Sequence, residues 1–171
     1  PTDADRVPRY ESLKEVTAEV GGCMRPGALV VIESTVSPGT TENVVKPILE
    51  KSSGMKVGTG FFLAYCYERV AVGRLIRNIV QLPRIIGGVD EESTGRAVEL
   101  YGHVVKAGLY PTDALTAEVA KVVENTYRDV NVAFSNEVAL ICESLGVDVI
   151  VHYGHTRLVK YERVPTLSIE P

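Results

Sequence analysis

The order of apolar and polar positions predicts strands that alternate with helices over the first 110 residues. Residues 28–36 open with five consecutive apolar side chains, which is typical of a strand covered on both faces. Residues 61–67 and 84–88 predict two further strands by the same criterion. Strands separated by helical segments indicate an α/β protein with a parallel sheet.

Three helices fill the gaps between and before these strands. Leu13, Val16 and Val20 recur at helical spacing, so we expect a helix over 10–20 that stops at Gly21-Gly22. A second helix should follow the turn at 37–41, with Pro47 kinking or shortening it. A third is expected over 91–105.

The pattern changes after Tyr110. Residues 113–145 contain no proline or glycine and carry apolar side chains at helical spacing, which predicts one helix about 45 Å long. A helix of this length spans two domains or forms the spine of a subunit interface, so we place a domain boundary near Tyr110. Its apolar residues lie on several faces, which favours a homodimer. These residues are Val122, Val123, Val130, Val132, Phe134, Val138 and Ile141.

Composition excludes several classes of partner. The 171 residues carry a net charge of −4, their lysines and arginines are interspersed with acids, and there is no tryptophan, so we expect no nucleic-acid binding. No apolar run approaches the roughly 20 residues that cross a bilayer, and no signal peptide pattern opens the chain. We therefore expect a cytoplasmic protein with no membrane partner.

The three cysteines are odd in number and lack C-x-x-C spacing, which argues against a disulfide framework or a metal site. Cys66 precedes Glu68 and Arg69 at a predicted strand end, where an arginine would favour the reactive thiolate. The alternative is that Cys66 is an ordinary buried strand residue. Cys142 lies in an apolar run and is expected in the core.

Three polar side chains share one stripe of the long helix. Lys121, Asn125 and Arg128 fall within a narrow arc at about 100° per residue. An ammonium, an amide and a guanidinium together suit an anionic or oxygen-rich ligand. The alternative is that Glu118 and Glu124, three and four residues earlier on the helix, form surface ion pairs with the two cations.

Further polar residues follow two of the predicted strands. Ser34 and Thr35 end the first strand, where α/β proteins place their ligands. The alternative is a plain helix cap, which needs only one of the nearby hydroxyls and accounts for Thr41. Glu68 and Arg69 end the second, so the same edge would gather a carboxylate and a guanidinium. Such a carboxylate suits a general base, and a surface Glu-Arg pair is the alternative.

Six motifs in order resemble the UDP-glucose/GDP-mannose dehydrogenase family. They are Glu33 to Thr41 (E-S-T-V-x-P-G-T-T), Glu68 to Gly73 (E-R-V-x-x-G), Pro83 to Gly88 (P-R-I-I-G-G), Ala117 to Arg128 (A-E-x-x-K-x-x-E-N-T-x-R), Asn136-Glu137, and Gly146 to Asp148. The E-R-V and N-T-x-R forms are most similar to the branch that oxidises UDP-N-acetyl-D-mannosamine.

The resemblance implies an NAD-dependent oxidation of a UDP-sugar C6 alcohol to a carboxylate, in two hydride transfers through a cysteine-bound intermediate. It implies that Thr35, with Ser34, contacts NAD. Glu68 would act as the base in thioester hydrolysis. Lys121 and Asn125 would stabilise the oxyanion or transfer protons. The residues expected to contact the substrate are Arg69, Val70, Arg128, His155 and Arg157.

The resemblance also implies a partial Rossmann-like parallel sheet followed by a long central dimerisation helix. Residues 1–110 would form the C-terminal part of an NAD-binding domain, and residues 111–171 an incomplete central helical domain. The Gly-rich G-x-G-x-x-G turn and the Gly-Gly-His-Cys nucleophile segment of the family do not occur in the sequence, and Tyr67 replaces the usual proline before Glu68. We therefore expect an internal fragment that does not complete the reaction by itself.

Two other functions are compatible with these motifs. One is a non-catalytic assembly module or relic, in which the long helix pairs subunits and the polar stripe has no ligand. The other is a hydroxyacid dehydrogenase of the 6-phosphogluconate type, against which the Glu68-Arg69-Val70 motif argues.

Overall fold

The computed structural model describes residues 9–69 and 75–146 and two short strands at 150–151 and 159–160. Three residues predicted to bind substrate, Val70, His155 and Arg157, lie outside the described residues. The chain divides into two compact units, 1–123 and 124–171.

The first unit is built on a four-stranded sheet with the order β1-β2-β3-β4. Its strands are β1 (Leu29–Ile32), β2 (Phe62–Tyr65), β3 (Arg84–Gly88) and β4 (Leu109–Asp113). Its helices are α1 (Glu11–Cys23), a π-helical turn (Thr41–Val45) leading into α2 (Lys46–Ser53), α3 (Leu75–Gln81), α4 (Glu91–Gly102) and the start of α5 (Ala114–Ser144). The second unit contains the rest of α5 and the antiparallel pair β5 (Ile150–Val151) and β6 (Val159–Lys160). The α/β class and the long helix are confirmed.

The sheet is mixed, so the prediction of a parallel sheet is wrong at one pair. β1 and β2 are parallel, as are β3 and β4, but β3 runs antiparallel to β2. A parallel crossover needs a connecting helix that packs back along the sheet. α3, which lies between β2 and β3, has only seven residues and none of them is buried.

The two faces of β2 hold the core, because alternate side chains of a strand point to opposite sides. Leu63 packs in one cluster with Val45 and Leu49, and Tyr65 in a neighbouring cluster with Ala114 and Ala117. On the other side, Ala64 and Cys66 pack with Ile86 and with Ala97 of α4. All four residues of β2 are buried, as its continuous apolar run predicted.

The glycines at 21–22 do not stop the first helix, which continues to Cys23, so that prediction is wrong. Gly21 is buried, and a Cβ atom placed on it would clash with Ser52 Oγ of α2. The glycine therefore permits close approach of α1 and α2 rather than helix termination. The expected strands were also too long, since β1 ends at Ile32 and β2 at Tyr65.

Candidate functional site

The carboxyl ends of β1 and β2 form one edge of the sheet, because the two strands are parallel and in register from Leu29↔Phe62 to Ile32↔Tyr65. The chain leaves β1 into Ser34 and Thr35, which are exposed, and leaves β2 into Glu68 and Arg69, which are half-buried. Such an edge is where α/β proteins bind ligands, since loops diverge there.

Lys121 reaches the same edge from α5. Its side chain is buried, with 8% of the residue exposed, and its Nζ donates a hydrogen bond to the main-chain oxygen of Glu68 at 3.1 Å. The ammonium also lies 5.0 Å from the centre of the Tyr67 ring. The structure therefore brings Lys121 and Glu68 together, through the peptide carbonyl of Glu68.

Asn125 and Arg128 belong to the second compact unit. Asn125 is half-buried and Arg128 is exposed, and Arg128 Nη2 donates to Asn125 Oδ1 at 3.3 Å. Arg128 Nε also lies 3.8 Å from a carboxylate oxygen of Asp129. Within this unit the amide and the guanidinium of the polar stripe are therefore in mutual contact.

Glu118 does not form a surface ion pair with Lys121, and that alternative is wrong. The residue is fully buried, and its Oε1 accepts hydrogen bonds from Thr41 N at 2.8 Å and Thr41 Oγ1 at 2.6 Å. Its Oε2 accepts from Gly39 N at 2.5 Å. Glu118 thus fastens α5 to the loop that follows Thr35, and this positioning contact was missed in the sequence because its partners are almost 80 residues away.

The same contacts correct the interpretation of Thr41 as a plain helix cap. The π-helical turn begins without a side-chain cap, and the Thr41 hydroxyl donates to Glu118 instead. Gly39 has a φ of +86°, which favours glycine, and this conformation directs its N–H at the Glu118 carboxylate. A carboxylate that accepts several N–H and O–H groups is well compensated for its burial.

A cavity of about 840 Å³ opens beside the carboxyl end of β1. It is lined by hydroxyl groups from Ser34, Thr35 and Ser37, by the start of α1 and by Val122 of α5. Tyr10, which also lines it, is 3.1 Å from Thr40 Oγ1 through its hydroxyl. This mixture of hydroxyl groups and apolar surface is typical of a site for a small polar organic molecule.

A second cavity, of about 530 Å³, lies on the α4 side of the edge. Its polar lining consists of Glu33, Glu68, Arg84 and Tyr101, and the rest is apolar. The Tyr101 hydroxyl donates to the Glu33 carboxylate, and the Arg84 guanidinium lies 5.7 Å from the Tyr101 ring centre. Glu68 lines this cavity together with these polar side chains and with apolar ones such as Leu75 and Ile79.

Cys66 is fully buried beneath this region. Burial raises the pKa of the Cys66 thiol to about 11, and the opposing effect of the Arg84 charge is smaller. The effect of a nearby arginine is thus outweighed by burial, and the interpretation of Cys66 as an ordinary buried strand residue is confirmed. Cys66 is a core residue that packs with Ala64, Ile86 and Ala97.

Neither a metal site nor a membrane-spanning helix occurs in the described part of the chain. None of the groups of histidine, cysteine, aspartate and glutamate side chains there could hold a metal ion. No helix in that part of the chain is both long and apolar enough to cross a membrane.

Proteins of known function resemble most of this chain in sequence. The UDP-N-acetyl-D-mannosamine dehydrogenase of Pyrococcus horikoshii is 44% identical over 142 residues, which is 83% of this chain and 34% of the relative. Its homologue from Methanocaldococcus jannaschii is 46% identical over 123 residues, or 72% of this chain and 27% of the relative. The chain thus spans between about a quarter and a third of the length of the curated relatives it matches.

Solved structures give the same result. The UDP-D-ManNAc dehydrogenase structure from P. horikoshii superimposes with a TM-score of 0.81 at 42% identity, covering 86% of this chain and 35% of that one. A GDP-mannose dehydrogenase ternary complex from Pseudomonas aeruginosa gives a TM-score of 0.78 at 28% identity, covering 86% and 34%.

Two family models match in the order that the motifs predicted. The NAD binding domain of the UDP-glucose/GDP-mannose dehydrogenase family matches residues 1–105, and its central domain matches residues 115–152. Because the first match alone covers more than half of the 171 residues, the chain belongs to the UDP-glucose/GDP-mannose dehydrogenase family.

Proposed function

We propose that this chain is part of an NAD-dependent nucleotide-sugar 6-dehydrogenase that acts on a UDP-sugar of the UDP-N-acetylmannosamine kind. The reaction converts the C6 alcohol to a carboxylate with two NAD⁺ and one water, releasing two NADH and three protons. The observation that carries the proposal is the buried Lys121 ammonium, 3.1 Å from the Glu68 oxygen at the carboxyl edge of β2. The proposal includes a cytoplasmic location, where NAD and nucleotide sugars are found.

The cavity beside β1 fits one end of NAD. Its hydroxyl groups suit a ribose, and the apolar wall that includes Val122 suits the face of a nicotinamide ring. NAD, when bound, supplies the hydride acceptor. Ser34 and Thr35 would hold and orient it, while Glu118 keeps their loop in place through Gly39 and Thr41.

The remaining roles follow from charge and position. The Lys121 ammonium would stabilise negative charge that develops on the C6 oxygen, and Asn125, one helical turn later, would donate a second hydrogen bond. The Glu68 carboxylate would take a proton from the attacking water. Substrate contacts are proposed for Arg69 and Arg128, and for three residues outside the described part of the chain, Val70, His155 and Arg157.

We also propose a homodimer formed through α5. Its second half exposes large apolar side chains, including Tyr127 at 73%, Val130 at 61% and Phe134 at 68% exposed. Apolar surface of this kind marks an interaction site, and a second copy would remove it from water.

The test of the proposed function uses the complete reading frame from which this chain comes, with NADH absorbance as the readout. UDP-N-acetylmannosamine, UDP-N-acetylglucosamine, UDP-glucose and GDP-mannose are compared as substrates. Lys121→Ala should lower kcat by roughly a hundredfold or more, because a donor to the developing charge is lost. Lys56→Ala is the matched control, since Lys56 is an exposed lysine paired with Glu50.

The 171 residues alone should give no sustained turnover, because the sequence contains neither the Gly-rich turn nor the Gly-Gly-His-Cys segment. An intact reading frame with no activity on any of the four substrates would favour the assembly module or relic. Equal activity of the Lys121→Ala and Lys56→Ala variants would remove the proposed role of Lys121.

A further inference from the structure

Tyr67 is held rigidly in the core at the carboxyl end of β2. Only 1% of the residue is exposed, and its ring lies 6.2 Å from the ring of Tyr65 at a tilt of 40°. It packs in the same cluster as Ala114 and Ala117 of α5. A buried aromatic side chain of this kind has few accessible rotamers, so the ring restricts the positions of the groups that contact it.

Two cations contact the Tyr67 side chain. Arg69 Nη2 donates to the Tyr67 hydroxyl at 2.8 Å, and the Arg69 guanidinium carbon lies 5.2 Å from the ring centre. Lys121 Nζ lies 5.0 Å from the same ring centre. Both distances are within the range of a cation–π attraction, which strengthens where water is excluded.

Each cation is also tied at a second point. Arg69 Nη1 donates to the main-chain oxygen of Pro83 at 2.9 Å, and Lys121 Nζ donates to that of Glu68 at 3.1 Å. Long lysine and arginine side chains lose considerable rotamer freedom when they are ordered. Two fixed contacts on each side chain therefore define where the positive charges stand.

We infer that Tyr67 is a positioning residue: its ring holds the Lys121 ammonium beside Glu68, and its hydroxyl, together with the ring, holds the Arg69 guanidinium. The inference rests on the proposed function only for its consequence, which is that both cations are in place before an anionic group enters. Its geometric part is independent of turnover. Tyr67 acts through Lys121 and Arg69 and needs no contact with substrate.

The two halves of the inference can be separated by two substitutions. Tyr67→Phe removes the hydroxyl and keeps the ring, so Arg69 loses a hydrogen bond while Lys121 keeps its cation–π contact. Tyr67→Leu removes both. A purely structural role for Tyr67 predicts no such split, because loosening the core would affect both cations in either variant.

The measurement is site-specific chemical labelling of the full chain, quantified by mass spectrometry. An amine-acylating reagent reports on Lys121, and phenylglyoxal reports on Arg69. Tyr67→Phe should raise the Arg69 rate by about fivefold and leave the Lys121 rate unchanged, since a hydrogen bond to a charged group is lost. Tyr67→Leu should raise both rates, that of Lys121 by about threefold or more.

Lys56 and Arg96 serve as internal controls in each digest, and Tyr127→Phe, at an exposed tyrosine, serves as the matched variant. A wild-type Lys121 rate in Tyr67→Leu would overturn the inference. So would equal acceleration of Lys121, Lys56, Arg69 and Arg96, which would indicate general loosening. Because labelling requires no substrate, these results stand apart from success or failure of the dehydrogenase assay.

Discussion

The two halves of α5 share one helix but differ in how much of it is covered. All four buried residues of the described helix, which are Ala114, Ala117, Glu118 and Lys121, lie within its first eight positions. From Glu124 to Ser144 the helix has no buried residue, although that stretch is rich in apolar side chains. Uninterrupted helical periodicity therefore does not show which part of a helix is buried against the sheet and which part stays exposed.

Of the substitutions in α5, Glu118→Ala should have the largest effect on stability, because it removes a buried contact that only the first half of the helix makes. The substitution leaves Gly39 N and Thr41 N without their buried acceptor, so we expect the free energy of unfolding to fall by about 3 kcal/mol. The matched substitution in the second half, Glu137→Ala at an exposed position, should change it by less than about 0.5 kcal/mol.

Urea unfolding followed by circular dichroism measures both values. Similar losses for the two variants would mean that the first half of α5 is no more firmly anchored than the second.

Phe134→Asp tests whether a second copy covers the exposed half. A charge in a buried apolar interface is strongly unfavourable, so we expect the dimer to weaken by about 2 kcal/mol, or roughly thirtyfold in Kd. Thr126→Asp adds the same charge at an exposed polar position and is the control. Sedimentation at micromolar concentrations gives the oligomeric state, and a wild-type chain that is monomeric throughout would contradict the prediction.

The cysteines give the smallest effect and need no substitution. Cys142 lies half-buried in the second half of α5, whereas Cys66 is fully buried in the core of the first unit. Iodoacetamide at pH 8 should therefore modify Cys142 and exposed Cys23 well before Cys66. The rate at Cys66 should rise as pH approaches its pKa of about 11, because the thiolate is the nucleophile.

The raised pKa of Cys66 also predicts that the free energy of unfolding depends on pH in the alkaline range. The thiol titrates near 9.0 when unperturbed and near 11 in the folded chain, so the unfolded chain loses its proton first. The contribution of Cys66 to stability is complete below pH 9 and declines as pH rises towards 11. Equal rates of iodoacetamide modification of Cys66 and Cys142 at pH 8 would show that the reagent reaches Cys66, which would contradict the burial of that residue.

Much of the first unit could be predicted because its signals are local. β1 and β2 are continuous apolar runs, and α5 contains no residue that interrupts a helix. α3 and β4 were missed for the opposite reason. α3 exposes Leu75 and Ile76, so it has no buried stripe to detect, and β4 contains Pro111 with exposed neighbours.

The candidate site likewise contains features that could be predicted from the sequence and features that could not. The position of Lys121 near Glu68 follows from a strand end and a helix face, both of which can be recognised in the sequence. The bonds of Glu118 to Gly39 and Thr41, and the packing of Tyr67 on Tyr65, join distant residues or depend on tertiary burial. Helical spacing allowed a surface ion pair between Glu118 and Lys121 as one alternative, and the burial of Glu118 rules it out.

The registers of β2 with β3 and of β3 with β4 set the level in the sheet at which α5 begins. The starting point of α5 in turn determines which of its side chains face the end of β2. Asp113 is level with Gly88, which is level with Ala64, four residues before Glu68. From Ala114 to Lys121 the helix advances about 10 Å in roughly two turns, and this distance brings the ammonium to the end of β2. The helical segment from Ala114 to Lys121 therefore fixes both the distance and the rotation of Lys121 relative to the end of β4. Deletion of one residue from this segment would rotate Lys121 by about 100°, away from Glu68.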